Sequence, residues 1–170
     1  YYVVRVEHAL AGLARRLGLT NVIDSAGGHH LLVKAQHMRF LREARAGAAL
    51  HATAQVLSWG EGEADVLFLL HHSVSGHVAA TFRLSLAYVE RGSGRSEPWP
   101  VEATRAAQDL LCDAPNEAQP RSISLEGAEV TASLERALQL GLRTTGLSTI
   151  TADVCDAHGT LRLSAFMGRV

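Results

Sequence analysis

The chain has 170 residues, 47% hydrophobic and 19% charged, with a formal net charge of −1. That size suits one domain, or one domain and part of a second, and the near-neutral charge argues against the basic face of a nucleic-acid binder. No apolar run approaches the ~20 residues of a membrane helix, and no charged-then-apolar leader opens the sequence, so a cytoplasmic protein off the membrane is expected.

Residues 1–17 read as a helix, because Val3, Val6, Leu10, Leu13 and Leu17 recur at spacings of three and four. Gly18 supplies its stop, and Arg15 and Arg16 suit the negative end of the helix dipole. Tyr1 and Tyr2 enter with no capping residue before them, so the chain is expected to begin inside an element. After a polar connection over Thr20–His30 the pattern turns to β. Strands are expected over Leu31–Phe40, over the alternating His51–Val56, over the nearly continuous apolar Asp65–Leu70, and over Thr81–Val89. In the last of these Phe82, Leu84, Leu86 and Tyr88 share a face. Ala46-Gly47, Gly60-Glu61-Gly62 and Ser73–Gly76 mark the turns between them. A helix followed by antiparallel strands predicts an α+β fold, with the helix on one face of a sheet.

Residues Arg91–Gln119 break this pattern, and all four prolines lie between Pro98 and Pro120. A connection carrying a short helix over Val101–Leu111 is expected there. Beyond it, Val130–Leu140 reads as helical and Thr144–Asp153 as a strand, and a further helix starts near Leu163. Between that last strand and helix stands Asp156-Ala157-His158-Gly159-Thr160, a carboxylate on a glycine turn beside helix-start N–H groups.

Cys112 and Cys155 are too few for a disulfide framework, and the nine histidines form no metal-binding spacing, so no metal is expected. Cys155 reads either as a nucleophile or as a small apolar side chain at a strand end. Asp24, Ser25 and His29 supply triad residue types, but closeness in sequence does not make a triad.

Several stretches resemble a known family: Tyr1-Tyr2-Val3-Val4-Arg5-Val6-Glu7 at the start of the helix, Gln36–Gly47 with its basic and aromatic run, Gly76–Ala80 before a strand, and the Asp-x-x-Gly turn between strand and helix. In this order they resemble the hot-dog-fold acyl-CoA thioesterases of the 4-hydroxybenzoyl-CoA thioesterase type. The resemblance implies an antiparallel sheet wrapped around a central helix. Ser164-Ala165-Phe166-Met167 holds the place after its turn that Tyr1-Tyr2-Val3-Val4 holds in the first piece. It therefore implies a double hot-dog seen in part: residues 1–90 a hot-dog domain lacking its first strand, 91–144 a linker with short helices, and 145–170 the first strand, turn and helix start of a second unit. A permuted single domain, in which the late strand completes the first sheet, is the alternative.

On this resemblance the function is hydrolysis of a coenzyme A thioester, with no cofactor beyond the coenzyme A of the substrate itself. Asp156 is then the base or nucleophile, with oxyanion donors from the backbone of Thr160–Leu163; its other reading is a turn or capping residue. Glu7, where some relatives place a nucleophile or base, is the second catalytic candidate, or else a surface carboxylate. Tyr1 and Tyr2 would line the acyl pocket or simply pack in the core. His158, Gly159 and Thr160 would face the substrate at the turn. Arg39 and Arg42, with Arg45, would meet the phosphates of coenzyme A or remain solvated. A dehydratase or hydratase on the same fold and a non-catalytic acyl-CoA-binding module are the rival functions. Pairing of hot-dog units side by side implies a homodimer or larger homo-oligomer.

Overall fold

The apolar stripe at the start of the chain folds as helix α1, Tyr2–Arg16, in the computed structural model, which describes residues 1–23, 26–121, 133–144, 146, 149–156 and 159–168. Its stop follows from Gly18, which takes φ +75° and donates to Arg15 O at 3.1 Å while Leu19 N–H closes onto Ala14 O at 2.8 Å. Those two bonds satisfy carbonyls that the helix end leaves open, and Leu19 is buried over the last turn.

Strands β1 (His29–Phe40), β2 (Leu50–Trp59), β3 (Glu63–His72) and β4 (Val78–Glu90) follow, each longer than the alternation alone predicts. They form one antiparallel sheet in the order β1-β4-β3-β2. Strand pairing extends past the clear pattern because each added residue gains ladder hydrogen bonds whatever its side chain. Irregularities between Val33 and Ala35 and between Val56 and Ser58 shift the register.

One face of the sheet carries Val56, Val66, Phe68, Leu70, Phe82, Leu84, Leu86 and Tyr88, and α1 covers it with Val6, Leu13, Ala14 and Leu17. The expected shared face of Phe82, Leu84, Leu86 and Tyr88 is thus the core face, and burying each such side chain stabilises by roughly 1.5–3 kcal/mol. Helix α2, Val101–Gln108, is three residues shorter than the expected Val101–Leu111. It closes one end of this core with Ala103 and Ala107. The chain then runs along β2, where Val56 N–H donates to Leu110 O and Cys112 N–H to Val56 O, both at 2.9 Å. On the opposite face Leu67 and Leu69 pack with Ala118 from a 3-10 turn over Asn116–Ala118. The helix-on-sheet α+β expectation holds.

Gly62 lets two segments meet. A Cβ there would stand 2.6 Å from the backbone oxygen of Glu97, so only glycine permits the hydrogen bonds Tyr88 N–H to Gly62 O (3.0 Å) and Trp99 N–H to Glu61 O (2.8 Å) beside it.

The C-terminal part differs from expectation. Helix α3 spans Leu134–Gln139; the earlier start at Val130 lies outside the described residues. The strand expected over Thr144–Asp153 forms no ladder among the described residues: Ala152–Val154 is a 3-10 turn and Ile150 is 57% exposed. An alternating stretch becomes a strand only when a neighbour takes its N–H and C=O groups, and no described residue of 149–156 pairs with the sheet, as the permuted arrangement requires. The final helix, α4, spans Leu163–Met167 and packs on α1.

Candidate active site

The Asp-x-x-Gly turn is a closed ring of hydrogen bonds. Asp156 N–H donates to Thr160 O at 2.8 Å, Gly159 N–H to Asp156 O at 3.1 Å, and Thr160 N–H to the Asp156 carboxylate Oδ1 at 3.0 Å. Gly159 takes φ +78°, the left-handed conformation that lets the turn close. A bridge between Cys155 and Leu161 clamps its base, while the Arg162 guanidinium reaches back to Asp153 O at 2.6 Å and Val154 O at 3.4 Å. The Asp156 side chain is exposed. Two of the amides expected to hold an oxyanion are engaged inside this ring: Thr160 N–H serves Asp156, and Arg162 N–H donates to Val154 O at 3.1 Å. An Asp in a tight turn captures the nearest amides before any substrate can, because they cost no loop closure to reach. The Cys155 thiol donates to Thr151 O at 3.5 Å. His158 lies outside the described residues, as do Asp24 and Ser25.

Glu7 follows the fully buried Val6 on α1, so its carboxylate emerges at the edge of the packed face. There it meets α4. Glu7 Oε1 accepts Ser164 N–H at 2.8 Å and Glu7 Oε2 accepts the Ser164 hydroxyl at 2.7 Å. Both oxygens of the second catalytic candidate are therefore spent on the helix that follows the Asp156 turn. The structure thus ties Glu7 to the turn–helix unit containing Asp156, Gly159 and Thr160, a link across 157 residues that no local pattern announces.

Tyr1 is 73% exposed, with the Arg5 guanidinium 4.9 Å from its ring centroid. Tyr2 packs on Phe40, ring centroids 5.6 Å apart, and its hydroxyl accepts Ala44 N–H at 2.9 Å. Tyr2 is a brace between α1 and the loop after β1. A space of about 10 Å³ between α1 and the sheet is lined by Leu10, Leu13, Leu31, Trp59, Trp99 and neighbouring apolar residues, Tyr1 and Tyr2 not among them. It has room for about one water and none for an acyl chain.

The three arginines separate. Arg39 Nη1 donates to Gln119 O at 2.7 Å and Asn116 O at 3.3 Å, pinning the 3-10 turn onto the sheet. Arg42 and Arg45 instead line an open groove of about 410 Å³ together with Glu43, His72, Ser75 and His77. Sequence parity pairs Arg39 with Arg45, but β1 ends at Phe40, so strand parity no longer governs the two later arginines.

Other polar clusters were not legible from spacing. His29 stacks on Tyr88 at 4.6 Å and meets Glu97 at 2.8 Å, with Asn21 donating to the Tyr88 hydroxyl at 2.7 Å. Arg83 and Ser85 both donate to Asp65 at 2.5 Å. Burial pushes the Asp65 carboxyl up, but these hydrogen bonds and the Arg83 charge outweigh it and leave the group below its ordinary range. His37 is held below the usual histidine value by burial and by the charges of Arg39 and Arg83. Hydrogen bonds from the Ser93 side chain and the Gly92 and Ser93 amides hold the Glu90 carboxyl at about 2. Burial, then Asp113, pushes the Cys112 thiol up. Among the described residues no three His, Cys, Asp or Glu side chains gather as metal ligands, and no helix is long and apolar enough to cross a membrane.

Residues 1–108, which include α1 and the whole sheet, match the family described as the thioesterase-like superfamily. The chain belongs to that superfamily. It is 36% identical over 75 residues to the L-carnitine dehydrogenase/betainyl-CoA thioesterase of Rhizobium meliloti (strain 1021), a match covering 44% of this chain and 15% of that protein. With the betainyl-CoA thioesterase of Pseudomonas aeruginosa it shares 26% identity over 110 residues, covering 65% of this chain and 69% of the relative. A crystal structure of a protein from Pseudomonas aeruginosa strain PAO1 superposes with a TM-score of 0.60 at 21% identity, over 67% of this chain and 78% of that one. The α1-plus-sheet unit has the hot-dog fold.

Proposed function

We propose that this thioesterase-like chain hydrolyses a coenzyme A thioester, with Asp156 as the reacting carboxylate. The observation that carries the reading is the docking of the Asp-x-x-Gly turn and α4 onto the hot-dog helix through Glu7 and Ser164. Two relatives described as betainyl-CoA thioesterases agree with it. As a base, Asp156 takes a proton from water while the water oxygen bonds to the thioester carbon. The C–S bond then breaks, releasing the acid and the coenzyme A thiol, which recovers the proton. As a nucleophile, the carboxylate attacks the thioester carbon and the C–S bond breaks to release the coenzyme A thiolate, leaving a mixed anhydride that water opens to the free acid and the Asp156 carboxylate, the thiolate taking up the proton. Its exposure leaves it reachable by a substrate, whereas Glu7, both oxygens occupied, positions α4.

In this reading residues 145–170 open a second hot-dog unit, whose remaining strands would wall the cleft over Asp156. Residues 91–144 are the connection. A homodimer or larger homo-oligomer and a cytoplasmic location go with it, and no cofactor is required beyond the coenzyme A of the substrate.

The test is thiol release from a panel of acyl-CoA esters by the whole protein and by Asp156→Asn. Turnover at least ~10²-fold lower in the variant supports the assignment. Equal rates remove Asp156 from the chemistry. The engagement of Asp156 by Thr160 N–H favours one second reading, an acyl-CoA-binding module, and calorimetric binding without hydrolysis by the unsubstituted protein would establish it.

A further inference from the structure

The small space between α1 and the sheet is walled by leucine, valine, alanine and tryptophan side chains, with Leu31, Trp59, Val66 and Leu86 contributed one from each strand. Its first wall on α1 is Leu10, about one helical turn past Glu7, the residue that holds α4. Trp99 is its one aromatic wall outside the helix and the strands, on the loop after β4.

The two tryptophans are held differently. Trp59 Nε1–H donates to Thr104 Oγ1 at 3.2 Å, so this ring is a fixed wall. The Trp99 ring lies against Trp59 and Tyr88, with centroids 4.4 and 5.4 Å away, and the residue is 6% exposed. Its Nε1–H is buried and has no hydrogen-bond partner. A dry, unpartnered N–H has given up a hydrogen bond to water and regains it by turning outward. The backbone does not follow such a turn, because Glu97 N–H donates to Tyr88 O and Trp99 N–H to Glu61 O, both at 2.8 Å. Pro98 and Pro100 fix φ on either side. What is left to Trp99 is rotation of its side chain, and that rotation adds a ring-sized volume to the space it now walls.

We propose that Trp99 is a side-chain gate on an apolar pocket that takes a hydrocarbon chain, and that it thereby sets which acyl lengths the protein accepts. The thioesterase reading supplies the identity of the chain as part of a coenzyme A ester, and the pocket itself stands apart from the Asp156 turn. Its other walls offer a ligand no hydrogen-bonding group, since the Trp59 N–H is taken by Thr104. A polar or charged ligand would lose its water there with nothing in return, whereas methylene groups restore the apolar contacts that the indole gives up. With Trp99 inward the space of about 10 Å³ admits no chain, so a short acyl group leaves the ring in place and a longer one displaces it.

The test is fluorine NMR of the whole protein with both tryptophans, the two in the chain, replaced by fluorotryptophan. The Trp99 signal is assigned by its loss in Trp99→Phe, and its exposure is read from the shift on changing to deuterated water. The probes are S-octyl-coenzyme A, a thioether that resists hydrolysis, S-ethyl-coenzyme A and octanoate. The expected result is a Trp99 signal that is dry alone and with the ethyl probe, and wet with the octyl probe, while Trp59 stays dry. Octanoate wetting Trp99 as well upholds the pocket and shows that the chain also binds as the free acid. A Trp99 signal dry with every probe, or equally wet with the ethyl probe, overturns the proposal. In kinetics, Trp99→Ala should raise the ratio of kcat/KM for octanoyl-CoA over acetyl-CoA by at least about 10-fold, and Trp99→Phe by less. An unmoved ratio in a folded variant overturns the gate, and the NMR on the unsubstituted protein decides it if Trp99→Ala does not fold. Hydrolysis of both esters with Trp99 dry removes the pocket and leaves the thioesterase reading intact. A wet Trp99 with the octyl probe but no hydrolysis of any ester upholds the pocket and removes that reading.

Discussion

Glu7→Ala separates the role of this carboxylate in holding α4 from any role in the sheet core. The substitution deletes both acceptors of Ser164 and keeps a good helix former at the position. A hydrogen bond to a charged group contributes about 1.5–3 kcal/mol when sheltered, and at this half-exposed contact about 1 kcal/mol each is the sounder figure. Two such bonds give about 2 kcal/mol, so the opening equilibrium of α4 should rise roughly 30-fold. Amide hydrogen exchange reads this locally. Phe166 and Gly168, whose N–H groups bond to Arg162 O and Ser164 O inside α4, should exchange faster by that factor, while Phe82 in the middle of β4 should not change. Ser164→Ala should produce part of the effect, and the double variant should add little to Glu7→Ala. Unaltered exchange in α4, or equal acceleration at Phe82, would show that Glu7 does not anchor the turn–helix unit, and the positioning argument would fail with it.

Phe82→Ala removes a fully buried ring that meets Phe40 edge-on at 6.3 Å, and should cost about 3–5 kcal/mol by urea denaturation; a loss under about 1 kcal/mol would contradict the core assignment. Gly62→Ala should destabilise by roughly 1–3 kcal/mol, because its Cβ would meet Glu97 O, whereas Gly12→Ala, with open space on α1, should stabilise by up to about 1 kcal/mol; thermal melts distinguish the two. Asp65 has a folded-state pKa below its ordinary 3.8, so its contribution is fully present above about pH 4 and is lost as pH falls through the folded value. Asp65→Asn should therefore lose stability at neutral pH and show a shallower decline than the unsubstituted protein as pH falls below about 4, in urea midpoints.

Elements whose information is local were legible in the sequence. The stripe Val3–Leu17 and its glycine stop, the alternation through Phe82–Tyr88 and the apolar run Asp65–Leu70 each specify a conformation by their own spacing, and the structure places all of them on the shared core. The helix-on-sheet architecture followed from the order of those pieces, while the hot-dog kinship came from the resemblance of Tyr1–Glu7, Gln36–Gly47, Gly76–Ala80 and the Asp156 turn to that family. The expected strand over Thr144–Asp153 had the same kind of pattern, but none of its described residues pairs with the sheet, and alternation without a strand partner does not hold an extended chain.

The tertiary structure alone decided where the polar groups went. Arg39 is committed to carbonyls 77 and 80 residues away, Arg42 and Arg45 meet His72 and His77 across a groove, and Glu7 is claimed by Ser164. A charged side chain is stabilised by whichever partners the folded chain brings within about 3 Å, and spacing along the sequence carries no record of that distance. Apolar periodicity built the scaffold from within each segment; the candidate site was settled by contacts between segments.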